Sequence, residues 1–121
     1  MFDDINKVIL IGRLGADSEI RYMPDGLAIL SFNLAISLSK KDLNGSFFKK
    51  TEWVKVVLYG GSSETYREYL KKGNRVYIEG SFRTFKTKTK EYFEIVASSI
   101  RLLTSEYKND NYNSDLNIDN K

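Results

Sequence analysis

From Leu30 to Ser39 the chain alternates without interruption. Leu30, Phe32, Leu34, Ile36 and Leu38 lie on one side, and Ser31, Asn33, Ala35, Ser37 and Ser39 on the other. Side chains on an extended strand point to opposite faces in turn, so this run is a long half-buried strand with a small, polar outer face. A second run, from Thr51 to Gly60, follows the same period. Val54, Val56 and Leu58 form one face and Trp53, Lys55, Val57 and Tyr59 the other. The first face suits a core. The second sets a cation between two large rings roughly 20 Å apart along the strand. A single strand of nucleic acid needs that combination, π-surfaces for bases and positive charge for phosphates. The alternative is that Trp53 and Tyr59 pack beneath a second layer, since Trp is well buried on average.

The remaining elements follow in order. Asn6 to Leu14 is apolar and β-branched, a strand with a bulge or bend at Gly12. Asp17 to Arg21 is polar, and Met23-Pro24-Asp25-Gly26 is a turn. Lys40 to Lys50 is a loop centred on Asn44-Gly45, in which Phe47 and Phe48 sit among Lys40, Lys41, Lys49 and Lys50. Its rings either meet a nucleic-acid strand or fold back onto the sheet. Ser62 to Gly73 reads as a short helix, with Ser62 or Ser63 as N-cap, Glu64 in the first turn, Lys71 and Lys72 in the last, and Gly73 as terminator. Tyr66, Tyr69 and Leu70 share its core face. Arg75 to Thr87 is a strand with Val76, Ile78 and Phe82 on one side and Tyr77, Arg83 and Phe85 on the other. Thr84 to Lys90 reads as a ribbon reaching past the body. Tyr92 to Leu103 is the closing strand, with Phe93, Ile95, Ile100 and Leu102 as core candidates and a bulge near Ser98-Ser99, where the phase changes.

Strand, strand, strand, helix, strand, strand is the order of an all-β, five-stranded Greek-key OB-fold barrel with one short helix between strands three and four. In that architecture the face of strands two and three and the loops after strands one and four bind oligonucleotides. The leading contact candidates are therefore Trp53, Lys55, Tyr59, Arg83, Phe85 and Lys86, with Lys7, Arg21, Lys40 and Lys49 as further basic positions.

Composition narrows the chemistry. The chain has no Cys and no His, which excludes disulfides, thiol nucleophiles, the common zinc sites and the usual general base near neutral pH. No convergent set of titratable groups points to an enzyme, and no cofactor is implied. Net charge is +3, unevenly spread. From Thr104 onward four acids outnumber two bases, so that segment carries −2 and residues 1–103 carry +5. The expected organisation is one domain over 1–103 and a short disordered acidic tail over 104–121. No apolar run approaches a membrane span, and Met1-Phe2-Asp3-Asp4 lacks a secretory layout. The expected location is cytoplasmic and nucleoid-associated.

Six segments together carry a resemblance. They are Asn6 to Gly15, Glu19 to Gly26, Thr51-Glu52-Trp53, Val56 to Gly60, Glu68 to Gly73 and Val76 to Gly80. In that order and spacing they resemble the bacterial-type single-stranded DNA-binding protein family over roughly residues 5–103. The resemblance implies a homotetramer of OB-folds that coats single-stranded DNA in replication, recombination and repair, with four aromatic stacking positions per subunit. Trp53 and Tyr59 match two of these, whereas the other two fall at Lys40 and Thr87, with Phe85 a stand-in for one. Lys55 and Arg83 match basic positions on the binding surface. Val54 stands where well-known members carry a His that supports assembly, so a dimer is the fallback to the tetramer. The expected oligomer contact is the flat, β-branched first-strand edge, Lys7, Val8, Ile9, Leu10 and Ile11. The family's long linker is nearly absent. Asp115-Leu116-Asn117-Ile118-Asp119 is a faint echo of its partner-recruiting tip, which makes recruitment of replication or repair proteins through the tail doubtful.

Two further readings stand beside a sequence-independent coat on single-stranded DNA. One is an OB-fold adaptor of a primosome or mobile-element replication complex, acting by protein contact, which the missing rings favour. The other is an enzyme, for which only terminal carboxylates such as Asp3-Asp4 offer material.

Overall fold

A computed structural model of the chain describes residues 2–104. The tail expected over 104–121 therefore lies, beyond Thr104, outside the described residues. Six strands and one helix follow in order: β1 (Val8–Leu14), β2 (Glu19–Tyr22), β3 (Ala28–Lys41), β4 (Phe47–Tyr59), α1 (Ser63–Arg67), β5 (Arg75–Lys86) and β6 (Glu91–Thr104). The sheet runs β1-β5-β6-β4-β3-β2, and β1 also pairs with β3 at Arg13↔Ala35 and Leu14↔Leu34. That extra pairing curls the sheet back on itself into the expected OB-fold barrel. Gly12 sits where β1 crosses to β3: a Cβ there would lie 2.4 Å from the Ala35 carbonyl oxygen. The glycine at this position thus permits a close approach, and β1 continues its ladder with β5 through Gly12↔Val76.

The alternation of β3 becomes the barrel's inner wall. Leu30, Phe32 and Leu34 are buried together with Val56 and Leu58 of β4, Val76 and Ile78 of β5, and Ile95, Ala97 and Ile100 of β6. Each large apolar side chain so enclosed stabilises the fold by roughly 1.5–3 kcal/mol. Ile36 is only partly buried and Leu38 is exposed, because both strands run on past the barrel. From about Ser37 to Thr51 they form a free-standing two-stranded ribbon, with pairing continuous to Lys41↔Phe47. Its turn is held by Asp42, whose Oδ1 accepts the backbone N–H groups of Asn44 and Ser46, both at 2.9 Å. The segment expected as a loop is thus mostly ladder, and its rings stay in solvent. A second ribbon extends β5 and β6 through Lys86↔Glu91, and the bulge near Ser98 appears as a register shift between Glu79 and Gly80.

Several expectations are corrected. The polar run Asp17 to Arg21 contributes a short strand, β2, which pairs along β3, because backbone pairing to an existing edge needs no apolar pattern. The helix is five residues long and ends at Arg67, so Lys71 and Lys72 do not meet its C-terminus, and Ser62 makes no side-chain capping bond. Leu70 is fully buried but Tyr69 is 48% exposed. Phe82 and Phe93 have core parity yet lie beyond the barrel end, about half exposed, and rest on each other at 5.8 Å between ring centroids. Leu102 is also exposed, near the end of β6.

Candidate nucleic-acid interface

On β4, odd-numbered residues face out of the barrel. Trp53, Lys55 and Tyr59 lie there in file, opposite Ala35, Asn33 and Ile29 of β3. The small outer residues of β3 leave this face open. Trp53 is 59% exposed, and its position is set by backbone: a Cβ at Gly15 would fall 2.5 Å from the ring. Gly15 therefore seats the indole from one side and leaves the rest of its surface to solvent. Trp53 does not pack beneath a second layer.

Two grooves meet along this face. One, of about 310 Å³, is walled by Lys55, Tyr59, Arg83, Phe85, Arg21 and Glu94. The other, of about 380 Å³, continues past Lys55, Ser31 and Asn33 to Glu19 and Asp17. Arg21, Ser31 and Lys55 line both, so they form one track. Phe85 stacks on Tyr92 across the second ribbon, with ring centroids 5.2 Å apart and planes 19° from parallel. Arg83 donates to the Tyr59 hydroxyl and to Glu94, and its guanidinium carbon lies 5.2 Å from the Tyr59 ring centroid. Its hydrogen bond to Glu94, then that to Tyr59, holds the guanidinium protonated more firmly than an ordinary arginine.

The other basic candidates spread out. Lys86 ends β5 opposite Glu91. Lys40 lies opposite Phe48 on the first ribbon, on the face turned away from Trp53, while Lys49 shares the parity of Trp53. Lys49 also lines a separate groove with Arg13 and Arg75. Lys7 lies away from the track. It is ion-paired with Glu79 at 2.8 Å, which raises its pKa through that hydrogen bond, and it borders a groove with Asn6, Ser81 and Ser98. Among the described residues, β1 pairs with β5 along one edge, and its pairing with β3 is limited to Arg13 and Leu14. The opposite edge of Val8 to Ile11 is thus left open, with Ile9 and Ile11 exposed.

Sequence reasoning missed Gly15, Tyr92 and Glu94 as parts of this surface, and left Phe47 between meeting a nucleic-acid strand and folding back onto the sheet. Tyr92 and Glu94 were within reach, and the spacing could have decided for Phe47. Counting outward from the Thr87 to Lys90 turn puts Tyr92 opposite Phe85 and Glu94 opposite Arg83. Phe47 is six residues before Trp53, as Trp53 is before Tyr59, and each of the first two is followed two residues later by Lys, at Lys49 and Lys55. All lie on one strand face. Phe47 is 74% exposed and lies 5.7 Å below the Lys41 ammonium. The role of Gly15 was not legible, because its approach to Trp53 is long-range.

Residues 5–107 match the model of the single-strand binding protein family. Single-stranded DNA-binding proteins of Neisseria meningitidis serogroups A and B are each 41% identical over 110 residues, covering 87% of this chain and 63% of theirs. The chain thus spans less than two thirds of these relatives' length. Among solved structures, a Plasmodium falciparum SSB in complex with ssDNA matches with a TM-score of 0.74 at 30% identity, over 85% of this chain and 98% of that one. The wild-type single-stranded DNA-binding protein from Thermus aquaticus matches with a TM-score of 0.73 at 30% identity, over 84% of this chain and 52% of that one.

Proposed function

The chain belongs to the single-strand binding protein family, and from that premise we propose that it coats single-stranded DNA without sequence preference, during replication, recombination and repair. Bases stack on Trp53, Tyr59 and the Phe85–Tyr92 pair, and Lys55, Arg21 and the lysines of the two ribbons meet the phosphates. The carrying observation is Trp53: 59% exposed, seated on Gly15 and close in file to Lys55 on an open track. A ring held in solvent next to a cation suits a base and its phosphate. The protein acts by binding rather than catalysis. It assembles as a homo-oligomer, a tetramer or failing that a dimer, by pairing the open edge of Val8 to Ile11 with a second copy, and it works in the cytoplasm on the nucleoid.

The chain has one Trp, so its fluorescence has one source. Titration with poly(dT) is expected to quench it, and Trp53→Ala to cost on the order of 1–3 kcal/mol per contacted base. Unchanged emission at saturating poly(dT), at both low and high salt, would overturn the reading. Native mass spectrometry at micromolar concentration tests the assembly, and a monomer would refute it.

A further inference from the structure

Glu94 is the one buried carboxylate among the described residues, its side chain 5% exposed. It lies at the floor of a groove rimmed by Lys55 and Arg21, where a negative charge repels any polyanion that enters. Burying a carboxylate is unfavourable unless it is paired and hydrogen-bonded. The partner is Arg83, directly opposite in the β5–β6 ladder. The same nitrogen of Arg83, Nη2, also donates to the Tyr59 hydroxyl. One atom therefore links the buried acid to the aromatic ring at the end of β4.

A carboxylate at hydrogen-bonding range balances the guanidinium charge, so a phosphate above it is only weakly attracted. Tyr59, half-buried where β4 ends, is held at its hydroxyl as well as at its backbone. Resting on the single-stranded DNA reading, we propose that Glu94 is a positioning residue: it anchors Arg83, which sets the Tyr59 ring as a stacking surface, and it removes Arg83 from the cations that bind phosphate. Arg83 thereby differs in kind from Lys55, although both matched basic positions of the binding surface.

The test is the dependence of log K on log salt for an oligo(dT) of fixed length. Each phosphate neutralised contributes about 0.7 to that slope. Lys55→Gln is expected to flatten it by about 0.7. The double variant Arg83→Gln/Glu94→Gln removes both charges of the pair together, and so avoids the penalty of an orphaned buried charge. It is expected to keep the wild-type slope while weakening binding by a similar factor at every salt concentration, since Tyr59 is loosened. Glu94→Gln alone is expected to steepen the slope by about 0.7, because Arg83 becomes available to phosphate. If the double variant flattens the slope as Lys55→Gln does, Arg83 already binds phosphate and the proposal is wrong. Should Glu94→Gln fail to fold, the double variant still decides. Absence of oligo(dT) binding by the wild-type protein at every salt concentration overturns the nucleic-acid reading and this proposal with it, whereas a flattened slope in the double variant, with oligo(dT) still bound by the wild type, overturns this proposal alone.

Discussion

The two ribbons that reach past the barrel are built alike and charged differently. In the β3–β4 ribbon, Lys40 and Lys41 pair across the ladder with Phe48 and Phe47, and Lys49 and Lys50 with Ser39 and Leu38. Its cations face rings, a hydroxyl and an aliphatic chain, and the carboxylate of Glu52 lies 3.7 Å from Lys50 in an exposed pair. In the β5–β6 ribbon, Arg83 faces Glu94 and Lys86 faces Glu91, leaving Lys88 and Lys90 in the turn, while Phe85 and Tyr92 stack. Of these only Arg83 and Glu94 form an ion pair, and a cation paired in that way contributes little to polyanion affinity. On the proposed single-stranded DNA reading, the first ribbon carries more lysines without a facing acid and the second carries the stacked ring pair.

Neutralising the first ribbon tests the contrast most severely. Replacing Lys40, Lys41, Lys49 and Lys50 together by Gln is expected to flatten the salt slope by up to about 2.8, at about 0.7 for each phosphate no longer neutralised. The measurement is oligo(dT) affinity across a salt series. An unchanged slope would mean that this ribbon does not touch the strand. Phe85→Ala addresses the second ribbon. It is expected to cost roughly 1–3 kcal/mol per base stacked there, by the same factor at low and high salt, so that a salt-dependent effect would erase the distinction. Lys40→Trp exchanges a cation for a ring within the first ribbon. It is expected to flatten the slope by about 0.7 and raise affinity at high salt, and weaker binding at high salt would contradict it. The smallest effect is on stability. Glu91→Gln removes an exposed acid opposite Lys86 in the ladder, and even an exposed ion pair is worth at most about 1 kcal/mol. Urea denaturation should place the variant within that margin of the wild type.

The barrel was legible because its cause is local. Period-two alternation in Leu30 to Ser39 and Val54 to Leu58 dictates which face is buried, and the register the structure adopts, Leu30↔Leu58 to Leu34↔Val54, brings those two faces together. The turn at Met23 to Gly26 was legible for the same reason: Gly26 takes φ +93° and donates to the Met23 carbonyl at 2.8 Å. The helix was overextended because its periodic apolar residues continue past Arg67, where Leu70 is buried as part of a turn rather than a helix.

Parity alone assigned Phe82 and Phe93 to the core, and it failed because parity says which way a side chain points and nothing about whether the barrel is still there to receive it. Trp53 was correctly placed outward by alternation. What holds it there is Gly15, thirty-eight residues away in sequence, and no local pattern encodes that approach. The sequence by itself determined the strands, their faces and the presence of rings and cations on one of them, since these depend on chemistry repeated every second residue. Only the tertiary structure decided which cations remain free to meet a polyanion. Whether Arg83 is a phosphate ligand or the clamp on Tyr59 depends on Glu94 arriving across the ladder at hydrogen-bonding range, and the strength of a charge pair is set by distance and burial, which exist only once the chain has folded.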